Sequence, residues 1–427
     1  ILSNGWINNL DIRILYCIFW EMNNESDYGR KQEDLTWLEN LQRNSWEPEV
    51  IISGITLAFL FVFPAKVYEF SAYLIQEVGT GYIVSWLILI YLTTVVNVFK
   101  IFFVAHLALR FVWAGLLGLS FAFPEGVIHQ RLFKSEQGFN YQNPNEMVLK
   151  LERICSTTFA YPVSMLITFL IITIYLGLLI FVYVLFDLPF IVLAILTVLT
   201  LLAIIFSSFI FKKKSKLKKW FAGTILNSIS AIYQSNLGKW FTLFYAVGIF
   251  LCATPLIFND VEDFSMFVNE SNLIEKELEW PSKAHIFEDY HDETKRYPRA
   301  FIPSEVLSDD VLQLGVSRYE DDAKMVDHIQ REFNDQLASL GWHEVNQSSD
   351  LLRLYIDEEV VENVPWSKVR LPMTGQKIYQ SLHFIEDLPS GTHTLRVEKL
   401  ILSYDLVSNK PEIKKLQNWA KFEFIKR

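Results

Sequence analysis

Four polar side chains interrupt one long apolar run. Between Tyr82 and Pro124 the sequence is almost wholly hydrophobic, yet it carries Asn97, Lys100, His106 and Arg110. Ionisable groups at membrane depth are costly, so they line ion or substrate paths, relay protons, or lie near an interface that long side chains can reach. Helical spacing puts Asn97 and Lys100 on one face at i,i+3 and His106 and Arg110 on another at i,i+4. An interfacial anchor is the preferred reading for this set over a transport path. A coupled transporter pairs charges near the midplane and breaks its helices there, and the sequence shows neither. A second charged feature is denser. Lys212, Lys213, Lys214, Lys216, Lys218 and Lys219 follow directly on an apolar run that ends at Phe211. Such a block meets anionic head groups, each lysine contributing about 1 kcal/mol near the surface.

Signatures of other chemistry are missing. There is no G-x-S-x-G elbow, no G-x-x-x-x-G-K-[ST], no G-x-G-x-x-G and no H-E-x-x-H. Cys17, Cys155 and Cys252 are the only cysteines, and no Cys/His spacing suits zinc. The acids at Asp309 and Asp310, Glu320 to Asp322, and Asp357 to Glu359 stand outside any D-x-D-x-D-G loop and read as solvated charge rather than calcium ligands. No catalytic residue, cofactor or metal is therefore expected, and an enzyme is the less favoured class.

The elements that must position these residues follow from hydropathy. A hydrocarbon core about 30 Å thick needs roughly 20 mostly apolar helical residues. Five stretches qualify, at about 50–68, 82–105, 161–186, 189–211 and 240–258. Lysine and arginine counts in the connections run four (Arg13, Arg30, Lys31, Arg43), one (Lys66), four (Arg131, Lys134, Lys150, Arg153), none, then seven across 212–239. By the positive-inside rule the high counts are cytoplasmic, so the N-terminus and lysine block face inward and the tail outward. Residues 106–123 are read as an interfacial or re-entrant helix ended by Pro124. The competing reading makes them a sixth span, with a turn near Asn97 to Lys100 and the N-terminus outside; it puts one of the basic connections on the wrong side.

Residues 1–49 are expected to be cytoplasmic amphipathic helices. Trp6 to Trp20 and QEDLTWLENLQ carry acids that oppose tight binding to anionic lipid; docking on the 212–219 block is a charge-complementary alternative. Ser45 is a candidate N-cap for the first span, with Pro48 in its first turn. The N-terminal stretch lacks the features of a signal peptide, and a chain opening on Ile1 suggests a trimmed start.

The whole chain is 51% hydrophobic with net charge −10, and the charge is unevenly placed. Residues 259–427 hold 32 acids against 20 bases, net −12, while residues 1–258 are net +2. An acidic stalk is expected over 259–298, then an all-β domain over 299–427. Nucleic-acid binding is disfavoured by this acidity. Leu352, Leu354 and Ile356 alternate with Arg353, Tyr355 and Asp357, as in a half-buried strand. Ile378, Leu382 and Phe384 are expected to share a face, with PSG turning the chain into a second strand carrying Leu395 and Val397, which makes an antiparallel hairpin. RAFIPSEV, DDVLQLGVSRY and NWAKFEFIKR supply further strands. EDDAKMVDHIQREFNDQLASLG repeats Met325, Ile329, Phe333 and Leu337 at i+4 and ends on Gly341, a helix with its C-cap.

LPSGTHTLRVE (388–398) resembles the L-x-x-G-x-H-x-L-x-V hairpin of many extracytoplasmic immunoglobulin-like and carbohydrate-binding-like sandwiches. The resemblance covers about a dozen residues and implies architecture only; the glycine and histidine serve the turn. The expected fold is thus an α-helical polytopic membrane domain of about five spans followed by an all-β, sandwich-like extracytoplasmic domain. The expected setting is a bacterial inner membrane, the partners are lipid and an envelope protein or glycan, and the alternative is a transporter or channel built on the four polar residues.

Overall fold

A computed structural model describes residues 46–186, 191–192, 195–200, 202, 224–271, 281–342, 344–404 and 411–427. The expected N-terminal helices, the lysine block 212–219 and most of the expected span at 189–211 lie outside the described residues.

The N-terminal part is helical. Helix α1 is Trp46–Tyr73 and runs on as one π-helical turn, Leu74–Val78; α2 is Tyr82–Ala122 and α3 is Pro144–Phe186. Two shorter helices follow, α4 at Ile225–Leu237 and α5 at Lys239–Asp260. Among the described residues, three helical stretches are long and apolar enough to cross a membrane: Pro48–Val78, Tyr82–Ala122 and Pro144–Val182. Their exposed faces match that solvent. Ile51, Ile55, Phe59 and Phe63 on α1, and Leu166, Leu170, Ile174 and Phe181 on α3, are all at least 45% exposed, a surface that water would penalise at about 25 cal/mol per Å² and lipid would not.

Residues 106–123 are expected to form a separate interfacial or re-entrant helix; as far as Ala122 they instead continue α2 without a break. No proline or paired glycine interrupts the run, and isolated Gly115 and Gly118 do not suffice to end a helix whose neighbours are apolar. Termination comes where Pro124 disfavours helical backbone at the residue before it. At 1.5 Å per residue the 41-residue α2 is roughly 60 Å long, about twice a hydrocarbon core.

The chain divides into two compact units, Ile1–Phe59 with Phe102–Lys239, and Leu60–Ile101 with Trp240–Arg427. In the first, aromatic contacts join the helices: Phe102 to Tyr161 at 5.4 Å and Tyr161 edge-on to Tyr233 at 5.5 Å. The Tyr233 hydroxyl donates to the Thr157 carbonyl at 2.6 Å.

The second unit contains two sheets. One has the order β1 (Ala300–Phe301), β3 (Val311–Ser317), β7 (Lys377–Phe384), β6 (Ser367–Arg370); the other has β2 (Val306–Leu307), β9 (Pro411–Lys426), β8 (Gly391–Tyr404), β4 (Leu352–Ile356), β5 (Glu359–Val361). All pairings are antiparallel except β2 with β9. Leu354, Leu395, Val397, Phe422 and Phe424 are buried as their alternation requires. Helix α6 (Glu320–Glu332) buries Met325 and Ile329, and Gly341 closes the segment in the left-handed region at φ 73°.

Two expectations fail here. The strands 377–384 and 391–404 do not form a hairpin: β7 pairs with β3 and β6, whereas β8 pairs with β9 and β4. Alternation identified both strands, but Ile385, 1% exposed, is pulled inward just after β7 and carries the chain from one sheet to the other. The facing of β7 is also reversed beyond Ile378. Tyr379, Ser381 and His383 are buried, while Leu382 is 56% and Phe384 86% exposed. Ser381 and His383 satisfy each other through a 2.8 Å hydrogen bond between Oγ and Nε2, which lets polar side chains occupy the inner face.

Residues 259–298, where described, contribute Phe264, Phe267, Ile286 and Phe287 to the same core as Val67, Ala72 and Ile75 of α1 and Leu89 of α2. That core also holds a buried ion pair. Lys399 Nζ lies 2.7 Å from Asp322 Oδ2 and 2.8 Å from Asn269 Oδ1, with the Trp419 and Tyr319 rings at 4.7 and 5.0 Å. Burial pushes the lysine pKa down, and Asp322 offsets only part of that. Removing one charge strands the other in a low-dielectric interior, at a cost of about 3–5 kcal/mol. Lys399→Met is therefore expected to lower stability by that amount and Lys399→Met with Asp322→Leu by much less, measured by thermal unfolding of the detergent-solubilised full chain. Equal losses in the two variants would mean that the pair does not act as a unit.

Candidate functional site

The four polar residues of the apolar run separate into two groups. In the first unit, Arg110 on α2 donates through Nη2 to Glu49 on α1 and through Nη1 to Glu152 on α3, the latter at 2.8 Å. One turn earlier, the His106 Nδ1 atom shares a 2.9 Å hydrogen bond with Ser53 Oγ, and its Nε2 is 3.6 Å from Glu49. His106 is wholly buried and Arg110 4% exposed. One guanidinium thus ties three helices together, and its fork suits two carboxylates as an ammonium would not. The i,i+4 spacing made the His106–Arg110 pair legible. Glu49 and Glu152 were not, because they lie 61 and 42 residues from Arg110 and look like ordinary helix-end acids in sequence.

In the second unit, Asn97 is fully buried and donates through Nδ2 to Asp260 at the end of α5, at 2.8 Å. Lys100 is not part of this bond; its ammonium stands 5.6 Å from the centre of the Phe61 ring. Asn97 and Lys100 therefore do not join His106 and Arg110 in one constellation.

A third group was missed in the sequence. The last turn of α1 presents Gln76 and Glu77 to the segments that lead into the sheets. Gln76 Nε2 donates to the Tyr297 carbonyl at 2.8 Å, and Gln376 grips the same residue twice, accepting from its N–H at 2.9 Å and donating to its carbonyl at 2.8 Å. Glu77 accepts from Lys377 Nζ at 2.7 Å and from the Lys377 N–H at 3.2 Å, and lies 3.4 Å from Arg296 Nη1. Arg296 in turn donates to the Thr374 carbonyl at 3.1 Å and covers the Tyr73 ring at 5.2 Å. The chain then turns at Gly79, φ 75°, where a Cβ would come within 2.6 Å of Asp321 Oδ1. The GTG at 79–81 was the available signal, since a left-handed turn beside a close neighbour needs glycine.

Of the acids considered for calcium, Asp322, Asp357 and Glu358 meet bases elsewhere in the fold. Asp357 and Glu358 form a two-residue turn with φ 50° and 68°, the mirror-image hairpin geometry between β4 and β5. Strand β8 clamps it. Asp357 accepts from the Thr394 N–H at 2.8 Å and bonds His393 Nδ1 at 2.5 Å, while Arg396 reaches Glu358 at 2.8 Å. Asp322 is paired with Lys399. Among the described residues no group of three or more His, Cys, Asp or Glu is placed to hold a metal. His393 also bonds the Pro389 carbonyl at 2.7 Å.

No protein family, curated protein or solved structure matches the chain. What the fold itself defines, among the described residues, is three apolar helices of membrane-spanning length and a β region of two sheets in one chain.

Three outcomes follow. Arg110→Ala leaves Glu49 and Glu152 facing each other without a counter-charge and is expected to cost about 3–5 kcal/mol, with Arg110→Lys recovering only part, as read from unfolding midpoints in detergent. Gly79→Ala is expected to cost at least about 1 kcal/mol from backbone strain alone. The third concerns pH. Burial disfavours the His393 cation, but Asp357 and the Pro389 carbonyl outweigh it and raise its pKa; burial likewise disfavours the Asp357 anion, but His393 and the Thr394 N–H outweigh it and lower its pKa. A raised histidine stabilises below its ordinary value and a lowered aspartate above its own, so the clamp is strongest between about pH 4 and about pH 6.5. Stability of the native chain relative to His393→Gln is expected to fall as pH rises through that upper limit and beyond.

Proposed function

We propose that the chain is a multi-pass membrane protein of a bacterial inner membrane that holds a β-sandwich outside the cytoplasm, where it binds a protein or glycan as a sensor, scaffold or subunit of an envelope complex. The observation that carries this reading is the seam between the last turn of α1 and the β region. Gln76 touches Tyr297, and Glu77 touches Lys377. The connection after the first span and the tail after the fifth must then share one side of the bilayer. Five spans with the N-terminus inside satisfy that requirement; six spans with the N-terminus outside put the two on opposite sides. Continuity of α2 through Asn97 and Lys100 supports five spans over six, which needs a turn there. On this topology the block Lys212, Lys213, Lys214, Lys216, Lys218 and Lys219 meets cytoplasmic head groups.

A groove of about 780 Å³ on the β region supplies a candidate binding surface. Trp342, Tyr355 and Trp366 line it together with Glu344, Glu358 and Glu362. Flat aromatic rings beside carboxylates suit the apolar faces and hydroxyls of a sugar, or a basic peptide. Arg353 covers the buried Trp342 ring at 4.2 Å and Arg396 the Tyr355 ring at 3.9 Å, which leaves the half-buried Trp366 as the ring open to a ligand. The transport reading is less well supported, because the Arg110 charge is already paired with Glu49 and Glu152 on two neighbouring helices.

The test compares two activities of the full chain. In proteoliposomes, flux of ions or solutes is expected to be absent, and in a binding assay against immobilised envelope polysaccharides and proteins, saturable binding is expected that Trp366→Ala with Glu362→Gln weakens by about tenfold or more. Flux that Lys100→Ala and Arg110→Ala abolish, with no saturable binding, would replace this reading by a transporter.

A further inference from the structure

The tail is strongly acidic, yet one cleft in it is lined by bases. Arg318, Lys377 and Arg370 stand in a row across three adjacent strands. Arg370 is the register partner of Lys377 on the antiparallel pair β6–β7, and the Arg318 N–H donates to the Lys377 carbonyl at 3.1 Å, extending the β3–β7 register by one residue. Lys368 lies two residues along β6 and therefore on the same face. That face is the inner one of the four-stranded sheet, since Val316 and Tyr379 are paired on it and buried. Beyond the covered part of the sheet the four bases line an open cleft of about 650 Å³, whose far wall includes Glu320 and Asp327 of α6.

The charges in this cleft do not balance. Glu320 takes Arg318 at 2.6 Å and Glu77 takes Lys377 at 2.7 Å. Lys368 and Arg370 are exposed and have no ion pair among the described residues. Like charges directly opposite on neighbouring strands are destabilising; Glu77 offsets this at Lys377, whereas Arg370 has no counter-charge of its own among the described residues. A guanidinium beside two ammonium groups is the donor set that takes a phosphate or carboxylate by charge-assisted hydrogen bonds.

We propose that this cleft binds an oxyanion, the phosphate or carboxylate group of a small solute or of a lipid headgroup, and that the bound anion competes with Glu77 for Lys377. Lys377 is the link: it lines the cleft and at the same time holds the last turn of α1. Filling the cleft draws its ammonium away from Glu77, which keeps Arg296 and the Lys377 N–H as partners. Occupancy on the β region is in this way read at the end of a membrane helix. The proposal rests on the β region being a binding module, but uses a different surface from the aromatic groove. Loss of groove binding with phosphate still bound sinks the earlier reading alone, and the reverse sinks this one alone.

The experiment uses the full chain in phosphatidylcholine nanodiscs, titrated with inorganic phosphate by calorimetry. Saturable binding is expected, weakened about tenfold or more in Lys368→Gln with Arg370→Gln, two exposed positions whose loss leaves the fold intact by circular dichroism. Glu77→Gln frees Lys377 and is expected to tighten phosphate binding at least about threefold, an effect opposite in sign to simple damage. Discs containing phosphatidylglycerol separate the two sources: a weaker apparent phosphate affinity there identifies a lipid headgroup as the natural occupant, and an unchanged affinity a soluble oxyanion. No saturable binding in the native chain, or equal binding in the Lys368/Arg370 variant, overturns the site. Equal affinity in a folded Glu77→Gln variant overturns the competition with Glu77.

Discussion

The structure depends on where the last turn of α1 ends. Tyr68 meets Phe264 edge-on at 5.3 Å and Phe267 at 6.1 Å, Tyr82 stacks on Phe264 at 6.0 Å, and Ile75 and Leu89 are buried in the same core. Around this apolar contact the backbone of Tyr297 is held by two glutamines. Gln76 and Gln376 are both fully buried, where an amide costs free energy unless it hydrogen-bonds; Gln76 Nε2 and both polar atoms of Gln376 do so on Tyr297, while Gln76 Oε1 has no partner among the described residues. The seam is therefore selective as well as adhesive: apolar area supplies the attraction, and the glutamines fix one register between helix and sheet. The segment after α5 has to thread through this seam, which is why its phenylalanines are core residues despite the acids that surround them in sequence.

Legibility in the sequence followed the range of the interactions. Helices α1 to α3 were readable because twenty apolar residues have one stable solution in lipid, and β3, β4, β8 and β9 because alternation is a local signal. What failed was non-local. The break between β7 and β8 depends on Ile385 entering the core and on which sheet each strand finds, and neither is encoded in strand periodicity. The facing of β7 depends on Ser381 and His383 satisfying each other, which reverses the rule that apolar residues point inward and leaves Leu382 and Phe384 outside. Residues 106–123 read as a separate element because one crossing is too short for so much apolar sequence; a single helix about twice that thickness, Tyr82–Ala122, takes up the run without a break.

The polar groups show the same division. His106 and Arg110 could be paired from spacing, but a sequence reading that weighed them as an anchor or a pathway lacked their carboxylates. With Glu49 and Glu152 in place, the guanidinium is a structural bracket between three helices. The same holds for the acids of the tail. Asp322, Asp357 and Glu358 look solvated in sequence, yet each meets a base more than thirty residues away. Net charge described the tail's bulk, and misdescribed its local fields. An acidic average conceals both a lysine buried against its aspartate and a cleft where bases outnumber their partners.

A shared core has a mechanical consequence that a tether would not. If the β region hung from a flexible stalk, binding on its surface would change its position and nothing else, because an unstructured linker transmits almost no torque. Here Val67, Ala72 and Ile75 of α1 lie in the core that also holds Leu354 and Val397. Packed interiors respond to displacement as solids do, shifting between discrete arrangements rather than stretching. A ligand that favours one arrangement of the sheets must then favour one arrangement of the α1 terminus by the same free energy, and the reverse holds by linkage. That reciprocity is the physical ground for preferring a sensing or assembling role to passive display. It follows from the seam at Gln76 and Glu77, whatever the ligand is.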